Sequence, residues 1–268
     1  MKMKGTAETI FYFLASVILL LALWEVISRI EIINPALISR PSEIFATIWE
    51  LLSKSTSANQ SLLLTHIYFS LYRLFYSFTI ALAIGIGLGI LIGKSNKLYW
   101  FFEPLITVAL PIPGIAWAPI FMIWLGFGDP TIITVGALAA FFPIVYNTAA
   151  GVRSVKKELI WAAQSMGASE KTIFFKVLLP SSATYIFTGI KLGLARSWRT
   201  IIAVEMIAAS LWGLGFMIFD ARDYLRPSII YSGIVVLALI YFVIENLVKL
   251  VERKTVVKWG MVRTEAIS

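Results

Sequence analysis

The sequence predicts an all-α polytopic membrane protein with about six transmembrane helices. Hydrophobic residues make up 59% of the 268 residues and charged residues only 14%, whereas soluble proteins carry about 25% charged residues. Apolar segments of about 20 residues, the length that crosses a bilayer, recur along the chain. So little charge in so apolar a chain excludes an intrinsically disordered protein, a coiled coil and a nucleic-acid-binding module.

Six apolar segments are the expected spans, because each is long enough to cross the hydrocarbon core. They are residues 10–30, 62–92, 102–125, 132–150, 183–209 and 229–251. The second is long enough to tilt or to protrude from the bilayer. Gly85, Gly89 and Gly93 recur at every fourth position along it, and this spacing predicts a smooth groove against which another helix packs closely.

The third expected span is interrupted by Pro111, Pro113, Gly114 and Pro119. Proline removes a backbone donor, so this helix should be kinked or broken in mid-membrane. Backbone groups freed at that depth are tolerated only inside protein or beside a wet cavity. Pro113 is therefore a candidate wall of a substrate path, and a packed structural kink is the alternative.

Lysine and arginine are distributed unevenly between the two sides of these spans. Thirteen lie in the N-terminus, in the connections after the second and fourth spans and in the tail, whereas four lie in the other connections. The positive-inside rule then places both termini and the 151–182 loop in the cytoplasm of a multi-pass protein of the cell membrane. The chain divides into an N-terminal helix with an external loop (1–60), a transmembrane core (61–250) and a cytoplasmic tail (251–268).

Two external segments are expected to be structured. Residues 31–61 form a polar loop that contains a short amphipathic helix near 43–52, and residues 211–227 form a structured loop or a re-entrant element. The absence of cysteine excludes disulfides, thiolate metal sites and a cysteine nucleophile. With His66 as the single histidine, an imidazole-rich metal site is also excluded. We therefore predict no catalytic residue and no metal site.

Ionisable side chains inside spans mark candidate functional positions, because charge is costly in a membrane. His66 and Arg73 share one stripe of the second span with the polar Ser70, and the fifth span carries four ionisable residues: Lys191, Arg196, Arg199 and Glu205. So basic a set suits an anionic ligand. The candidate substrate path consists of Ser70, Arg73, Pro113, Arg196, Arg199 and Glu205.

The alternative for each of these residues is a structural role. An arginine in a span can snorkel towards the interface or form a neutral pair, for instance Arg196 or Arg199 with Glu205 on a neighbouring turn. His66 lies near the outer end of its span, where we expect a capping or packing role.

The 151–182 loop predicts two short amphipathic helices, 155–166 and 169–179, that flank Gly167 and end at Pro180. Several of its side chains, such as Trp161 and Phe174, are too apolar for a solvated loop, so it should press on another protein. Its pattern is Ala162-Ala163, three residues, Gly167, nine residues and Val-Leu-Leu-Pro at 177–180.

That pattern resembles the cytoplasmic loop of permease subunits of ABC importers, whose signature is Glu-Ala-Ala, three residues, Gly, nine residues and Ile-x-Leu-Pro. Trp161 stands where the family has its glutamate. The resemblance extends from about residue 60 to 260. Further segments look like the branch that handles nitrate, sulfonates, taurine or bicarbonate: 70–73, 112–113, 116–119, 142–143, 147–148, 204–206 and 213–216.

The resemblance implies a type I ABC importer-like permease fold that imports a small anion. It implies a second permease copy, two ATPase subunits that bind ATP and Mg²⁺, and a solute-binding protein, with no cofactor in this chain. The ATPase would contact Ala162, Ala163, Gly167, Ala168, Phe174, Leu179 and Pro180. The alternative is an ion-coupled secondary transporter, which would require internal repeats and a paired carboxylate relay. A membrane enzyme is a third option, but its nucleophile and base are hard to name.

Overall fold

The structure is a computed structural model that describes residues 4–30, 34, 37–55 and 60–257. The eleven α-helices of this part are α1 Lys4–Arg29, α2 Pro41–Ser53, α3 Leu62–Lys94, α4 Asn96–Ala109, α5 Ala118–Leu125, α6 Asp129–Arg153, α7 Lys157–Ser165, α8 Glu170–Ile173, α9 Leu179–Ala208, α10 Leu214–Asp223 and α11 Pro227–Glu252. A 3₁₀ turn, Gly114–Trp117, precedes α5, and π turns follow α8 (Phe174–Leu178) and α11 (Arg253–Val257). The tail from residue 258 onward, which includes two of the basic residues behind the predicted orientation, lies outside the described residues.

Four helical stretches in the described part are long and apolar enough to cross a membrane: Leu62–Lys94, Asp129–Arg153, Glu170–Ala208 and Pro227–Thr255. A bent pair, Asn96–Ala109 with Gly114–Leu125, is the fifth when it is counted as one broken span. These correspond to five of the six predicted spans and confirm the all-α membrane fold. The predicted first span lies within α1, a helix of 26 residues, but α1 is not in that set, so the sixth span stays a prediction.

The predicted break in the third span is present. The helix axis turns by 97° between α4 and the 3₁₀ turn that starts at Gly114. The bend packs tightly on its neighbours, because a Cβ added at Gly114 would lie 2.7 Å from Thr200 Cγ2 and 3.0 Å from Ala139 Cβ. The bend, Leu110–Gly114, is therefore held against α6 and α9.

Helix α6 is the centre of the bundle, and α3 and α9 pack along its whole length. The order of the contacting residues shows that α3 runs parallel to α6 and that α9 runs antiparallel to α6. The predicted glycine groove of α3 is confirmed: a Cβ at Gly85 would lie 2.9 Å from Ile144 Cγ2, and one at Gly89 would lie 2.6 Å from Thr148 Cβ. Glycine is required at these positions because the helices approach too closely for a side chain.

The outer helices of the bundle expose large apolar side chains, among them Ile18, Phe75 and Phe242. Such a surface is expected where a helix faces lipid. Helix α1 packs mainly on α2, to which it is tied by the Glu25 carboxylate, which accepts from the Ser42 N–H at 3.1 Å and from its hydroxyl at 2.9 Å. The predicted amphipathic helix of the 31–61 loop is α2.

The two ends of the bundle carry different elements. The starts of α3 and α6, the end of α9 and α10 lie together at the α10 end, where the Gly128 N–H donates to the Ala208 carbonyl at 2.8 Å. Helices α7 and α8 lie at the opposite end, the α7 end, between α6 and α9.

The prediction that Pro180 ends the second loop helix is wrong. The π turn Phe174–Leu178 carries α8 into α9, so that one helical stretch runs over Glu170–Ala208. Pro180 lies in the first turn of α9, where its missing N–H costs little. The π turn just before it shifts the backbone bonds out of α-register, which reduces the interruption that proline would cause.

Candidate functional site

A buried polar cluster lies at the α10 end and is centred on Arg73 of α3. Arg73 Nη1 donates to Glu205 Oε1 of α9 at 2.7 Å and to the Trp212 carbonyl at 2.7 Å. Its Nε and Nη2 donate to Asp129 Oδ1, at the start of α6, at 2.8 and 2.7 Å. All three guanidinium nitrogens are therefore occupied by protein acceptors.

The partner carboxylate, Glu205, is fully buried, and both of its oxygens accept hydrogen bonds. The Ser70 hydroxyl lies 2.9 and 2.8 Å from the two oxygens, and the Gly215 N–H donates to Oε2 at 2.9 Å. Ser70 Oγ in turn accepts from the Leu214 N–H at 2.9 Å. A buried charge needs such partners, because leaving it unpaired costs several kcal/mol. The cluster thus joins α3, α6, α9 and the start of α10.

His66 packs beside this cluster, one turn before Ser70. Its ring meets the Trp212 ring edge-on, with centroids 5.2 Å apart, and its Nδ1 lies 3.1 Å from the Gly213 nitrogen. His66 therefore packs on the segment between α9 and α10.

The suggested pairing of Glu205 with Arg196 or Arg199 is wrong, since the ionic partner of Glu205 is Arg73. The reason is helical geometry. At about 100° per residue, a separation of nine positions places Arg196 on the opposite side of α9 from Glu205, and a separation of six turns Arg199 by about 120° away from it.

A cavity of about 330 Å³ lies at the bend and is lined by residues of the bend, α6 and α9. Arg196, Arg199 and Thr200 line it from α9, and Pro113 lines it from the bend. Arg196 Nη1 donates to the Leu110 carbonyl at 2.8 Å. This carbonyl ends α4, where carbonyls lack helical partners, so Arg196 is bound to the bend.

Arg199 is different, because its one described hydrogen bond runs from Nε to the Ala195 carbonyl of its own helix at 3.1 Å. In the described part of the chain it forms no ion pair. It also lines an apolar cleft of about 580 Å³ between α9 and α11, together with Trp198 and Tyr241. The six predicted path residues therefore fall into two groups, one at the cavity (Pro113, Arg196, Arg199) and one in the polar cluster (Ser70, Arg73, Glu205).

The predicted contact loop contains a tight turn between α7 and α8. Gly167 has φ of +76°, in the left-handed region that favours glycine. Its N–H donates to the Gln164 carbonyl at 2.9 Å, and the Ala168 N–H donates to the Ala163 carbonyl at 3.0 Å. This pair of bonds is a Schellman motif, which closes the C-terminus of a helix.

The same loop carries exposed apolar side chains. Trp161 is 57% exposed, and Met166 and Phe175 are also exposed, whereas Ala163 is buried against the loop. Phe174 packs under the Lys94 ammonium, 5.6 Å from the ring centroid. Leu179 and Pro180 are half-buried in the first turn of α9. The Ala162 face of α7 is thus open to a partner.

Sequence reasoning missed Asp129 and Trp212, which complete the polar cluster. An acidic residue just before Pro130, three residues ahead of the expected fourth span (132–150), was the available signal for Asp129. Trp212 contributes its backbone carbonyl, for which the sequence contains no signal. No group of three or more histidine, aspartate or glutamate side chains is placed to hold a metal ion among the described residues.

Packed spans, a broken helix beside an arginine-lined cavity and an exposed loop at one end define a membrane-embedded permease. The chain belongs to the family described as the binding-protein-dependent transport system inner membrane component, which matches residues 85–257. This confirms the predicted family, fold class and permease function.

Individual relatives place the chain in the predicted branch. It is 32% identical over 235 residues to the taurine transport system permease protein TauC of Escherichia coli, covering 88% of this chain and 85% of that one. It is 37% identical over 195 residues to the nitrate import permease protein NrtB of Synechocystis, covering 70% of each. It is 36% identical over 179 residues to the bicarbonate transport system permease protein CmpB of Synechococcus elongatus, covering 65% and 64%.

The fold also matches a solved structure of the MetNI methionine ABC transporter in an inward-facing conformation. The TM-score is 0.63 at 18% identity, and the match covers 78% of this chain and 98% of that chain. At this identity the likeness concerns the fold alone.

Proposed function

We propose that this permease forms the path of an ATP-driven importer for a small oxyanion. Two copies would assemble with two ATPase subunits at the α7 end, in the cytoplasm, and with a solute-binding protein at the α10 end, outside. ATP and Mg²⁺ would bind to the ATPase subunits. The observation that carries the choice of an anion is Arg199, an arginine at membrane depth without a carboxylate partner in the described residues.

An unpaired arginine facing lipid is costly, so a charged side chain in a span faces water or a ligand. Arg199 lines the cavity at the bend together with Leu110–Gly114. A guanidinium offers several donors in one plane, and these match the oxygens of a nitrate, carboxylate or sulfonate group. The named substrates of the relatives, taurine, nitrate and bicarbonate, carry such groups.

The three candidate arginines would then have three roles. Arg199 would contact the passing anion. Arg196 would position the bend through the Leu110 carbonyl, and Arg73 would stabilise the α10 end through Glu205 and Asp129.

The test is anion uptake into proteoliposomes that contain the full complex. We expect Arg199→Ala to reduce uptake by about tenfold or more, as expected when a charged contact to the ligand is lost, while assembly and basal ATPase activity persist. Arg199→Lys should retain part of the uptake, because the charge remains. Labelled taurine, nitrate and bicarbonate are each assayed, with exposed Arg222→Ala as the matched control. Wild-type uptake of each transported anion by Arg199→Ala would exclude the anion role of Arg199.

The orientation is tested separately. A tag fused after Ser268 should stay protected from external protease in intact cells, because thirteen basic residues against four favour a cytoplasmic C-terminus. Cleavage of the tag from outside would reverse the assignment of both ends.

A further inference from the structure

Leu225, between α10 and α11, has a backbone conformation that leucine rarely adopts. Its φ is +49°, and it is the one non-glycine residue with positive φ in the part of the chain that the structure describes. A bulky residue is strained in this left-handed region, because its Cβ approaches the following carbonyl.

The strained conformation closes helix α10. The Leu225 N–H donates to the Arg222 carbonyl at 3.1 Å, and the Arg226 N–H donates to the Ala221 carbonyl at 3.0 Å. These two bonds form a Schellman motif in which Leu225 occupies the position that usually holds glycine. Glycine would make the same turn without strain, so the fold of the turn does not account for leucine.

The side chain of Leu225 is not used inside the protein either. It is 80% exposed, and the adjacent Tyr224 is 68% exposed. Leu211, in the segment between α9 and α10, is exposed as well. These three side chains, which we call the outer apolar patch, lie at the α10 end. Strained backbone that persists without an internal contact points to a role in binding.

The patch borders a cavity of about 570 Å³, whose walls come from α2, α3, α10 and α11. Leu211 and Tyr224 line this cavity, and Leu225 lies between two lining residues, Tyr224 and Arg226. The other lining residues include acidic and basic side chains: Glu50, Lys54, Asp220 and Arg226. Apolar side chains beside mixed charges are typical of a protein–protein interface with a polar rim.

The cavity also touches the polar cluster. Trp212 and His66 line the cavity, and the Trp212 carbonyl accepts from Arg73, which pairs with Glu205 of α9. A partner seated here would therefore contact a segment that is linked through Arg73 to α9, the helix that also carries Arg199.

We propose that the outer apolar patch, with Leu225 at its most exposed point, is a contact surface for the solute-binding protein. The inference rests on the proposed function, which places the α10 end outside. The family's own description makes transport dependent on a binding protein, and the mixed charges of the cavity suit a protein rather than lipid chains.

The experiment measures ATPase stimulation of the full complex in lipid nanodiscs, where both ends are accessible. The titrant is the purified solute-binding protein recovered by cross-linking to the wild-type complex in its native membrane. For Leu225→Gly we expect the half-maximal concentration to rise about tenfold, as for loss of a principal interface side chain. Basal ATPase activity should be unchanged, and the melting temperature unchanged or higher. Leu225→Met should behave like the wild type.

Leu37→Gly, at an exposed leucine in the α1–α2 connection, is the matched control and should leave the stimulation unchanged. Tyr224→Ala is a second, independent variant and should also raise the half-maximal concentration. Unchanged stimulation in both Leu225→Gly and Tyr224→Ala would overturn the inference. A lower melting temperature or a lost second copy in Leu225→Gly would also overturn it, because the leucine would then serve lipid or copy contacts. If no binding protein stimulates the wild-type complex, the proposed function itself fails.

Discussion

Helices α7 and α10 end in the same hydrogen-bonded turn but at opposite ends of the bundle and with different residues. Gly167 closes α7 with φ of +76°, and Leu225 closes α10 with φ of +49°. At the α7 end the residue that makes the turn without strain is present. At the α10 end a large apolar side chain is kept in spite of strain, so the turn there must also present that side chain.

The two ends are also stabilised differently. At the α10 end, ionic contacts join residues far apart in the chain, such as Arg73 with Glu205 and Asp129. In the α7–α8 loop the bonds are mostly local, such as the Ser169 hydroxyl that accepts from the Thr172 N–H at 3.3 Å, although the ion pair of Lys191 with Glu252 joins α9 to the end of α11 nearby. The α10 end is therefore joined by buried side chains of distant helices, whereas the α7–α8 loop is closed by turn geometry.

The largest expected effect is the loss of Glu205. Glu205→Ala leaves Arg73 without its buried partner, and breaking such a pair costs about 3–5 kcal/mol. We expect a large fall in melting temperature and poor recovery of the protein in detergent. Glu205→Gln should lose less, because the amide still accepts from Ser70 or from the Gly215 N–H.

Glu170→Ala, an exposed glutamate at the α7 end, serves as the control and should change the melting temperature little. Equal melting temperatures for Glu205→Ala and Glu170→Ala would contradict the difference between the two ends.

A smaller effect on stability, but a large one on assembly, is expected at Gly167. Gly167→Val forces a β-branched residue into the left-handed region at a cost of about 1–2 kcal/mol, so the turn should shift. Gly167→Asp places charge at the expected ATPase contact, and Ala163→Arg forces a long charged side chain into a buried position of α7. The spans should still insert, while pull-down of the ATPase weakens and transport is lost.

Two controls separate turn geometry from surface chemistry at this site. Gly167→Asn should retain more ATPase than Gly167→Val, because asparagine tolerates the left-handed region. Lys157→Gln, at an exposed position of α7, should bind the ATPase normally. Normal transport with a full complement of ATPase in Gly167→Asp and Ala163→Arg would show that α7 is not the coupling element.

The smallest effect is the exchange of the two turn residues. Leu225→Gly should raise the free energy of unfolding by up to about 1 kcal/mol, and Gly167→Leu should lower it by a similar amount, because leucine is strained in this conformation. Thermal unfolding of both variants and of the wild type in the same detergent measures these two changes in stability. A lower stability for Leu225→Gly would mean that the leucine side chain stabilises the folded protein.

Local signals were sufficient for much of the fold. Apolar length identified α3, α6, α9 and α11, prolines with Gly114 located the bend, and the glycine spacing of α3 located its contact with α6. The motif around Gly167 identified the family. The helix end predicted at Pro180 was wrong, because the effect of this proline depends on the π turn before it. A π turn leaves no clear mark in the sequence.

The sequence by itself determined the number and character of most helices, the broken span and the family, because each depends on residues close together in the chain. Only the tertiary structure decided which charges meet. Arg73 and Glu205 are 132 residues apart, and the side of α9 on which each ionisable residue lies assigns Glu205 to the buried cluster and Arg199 to the cavity. Burial and pairing depend on the packing of distant helices.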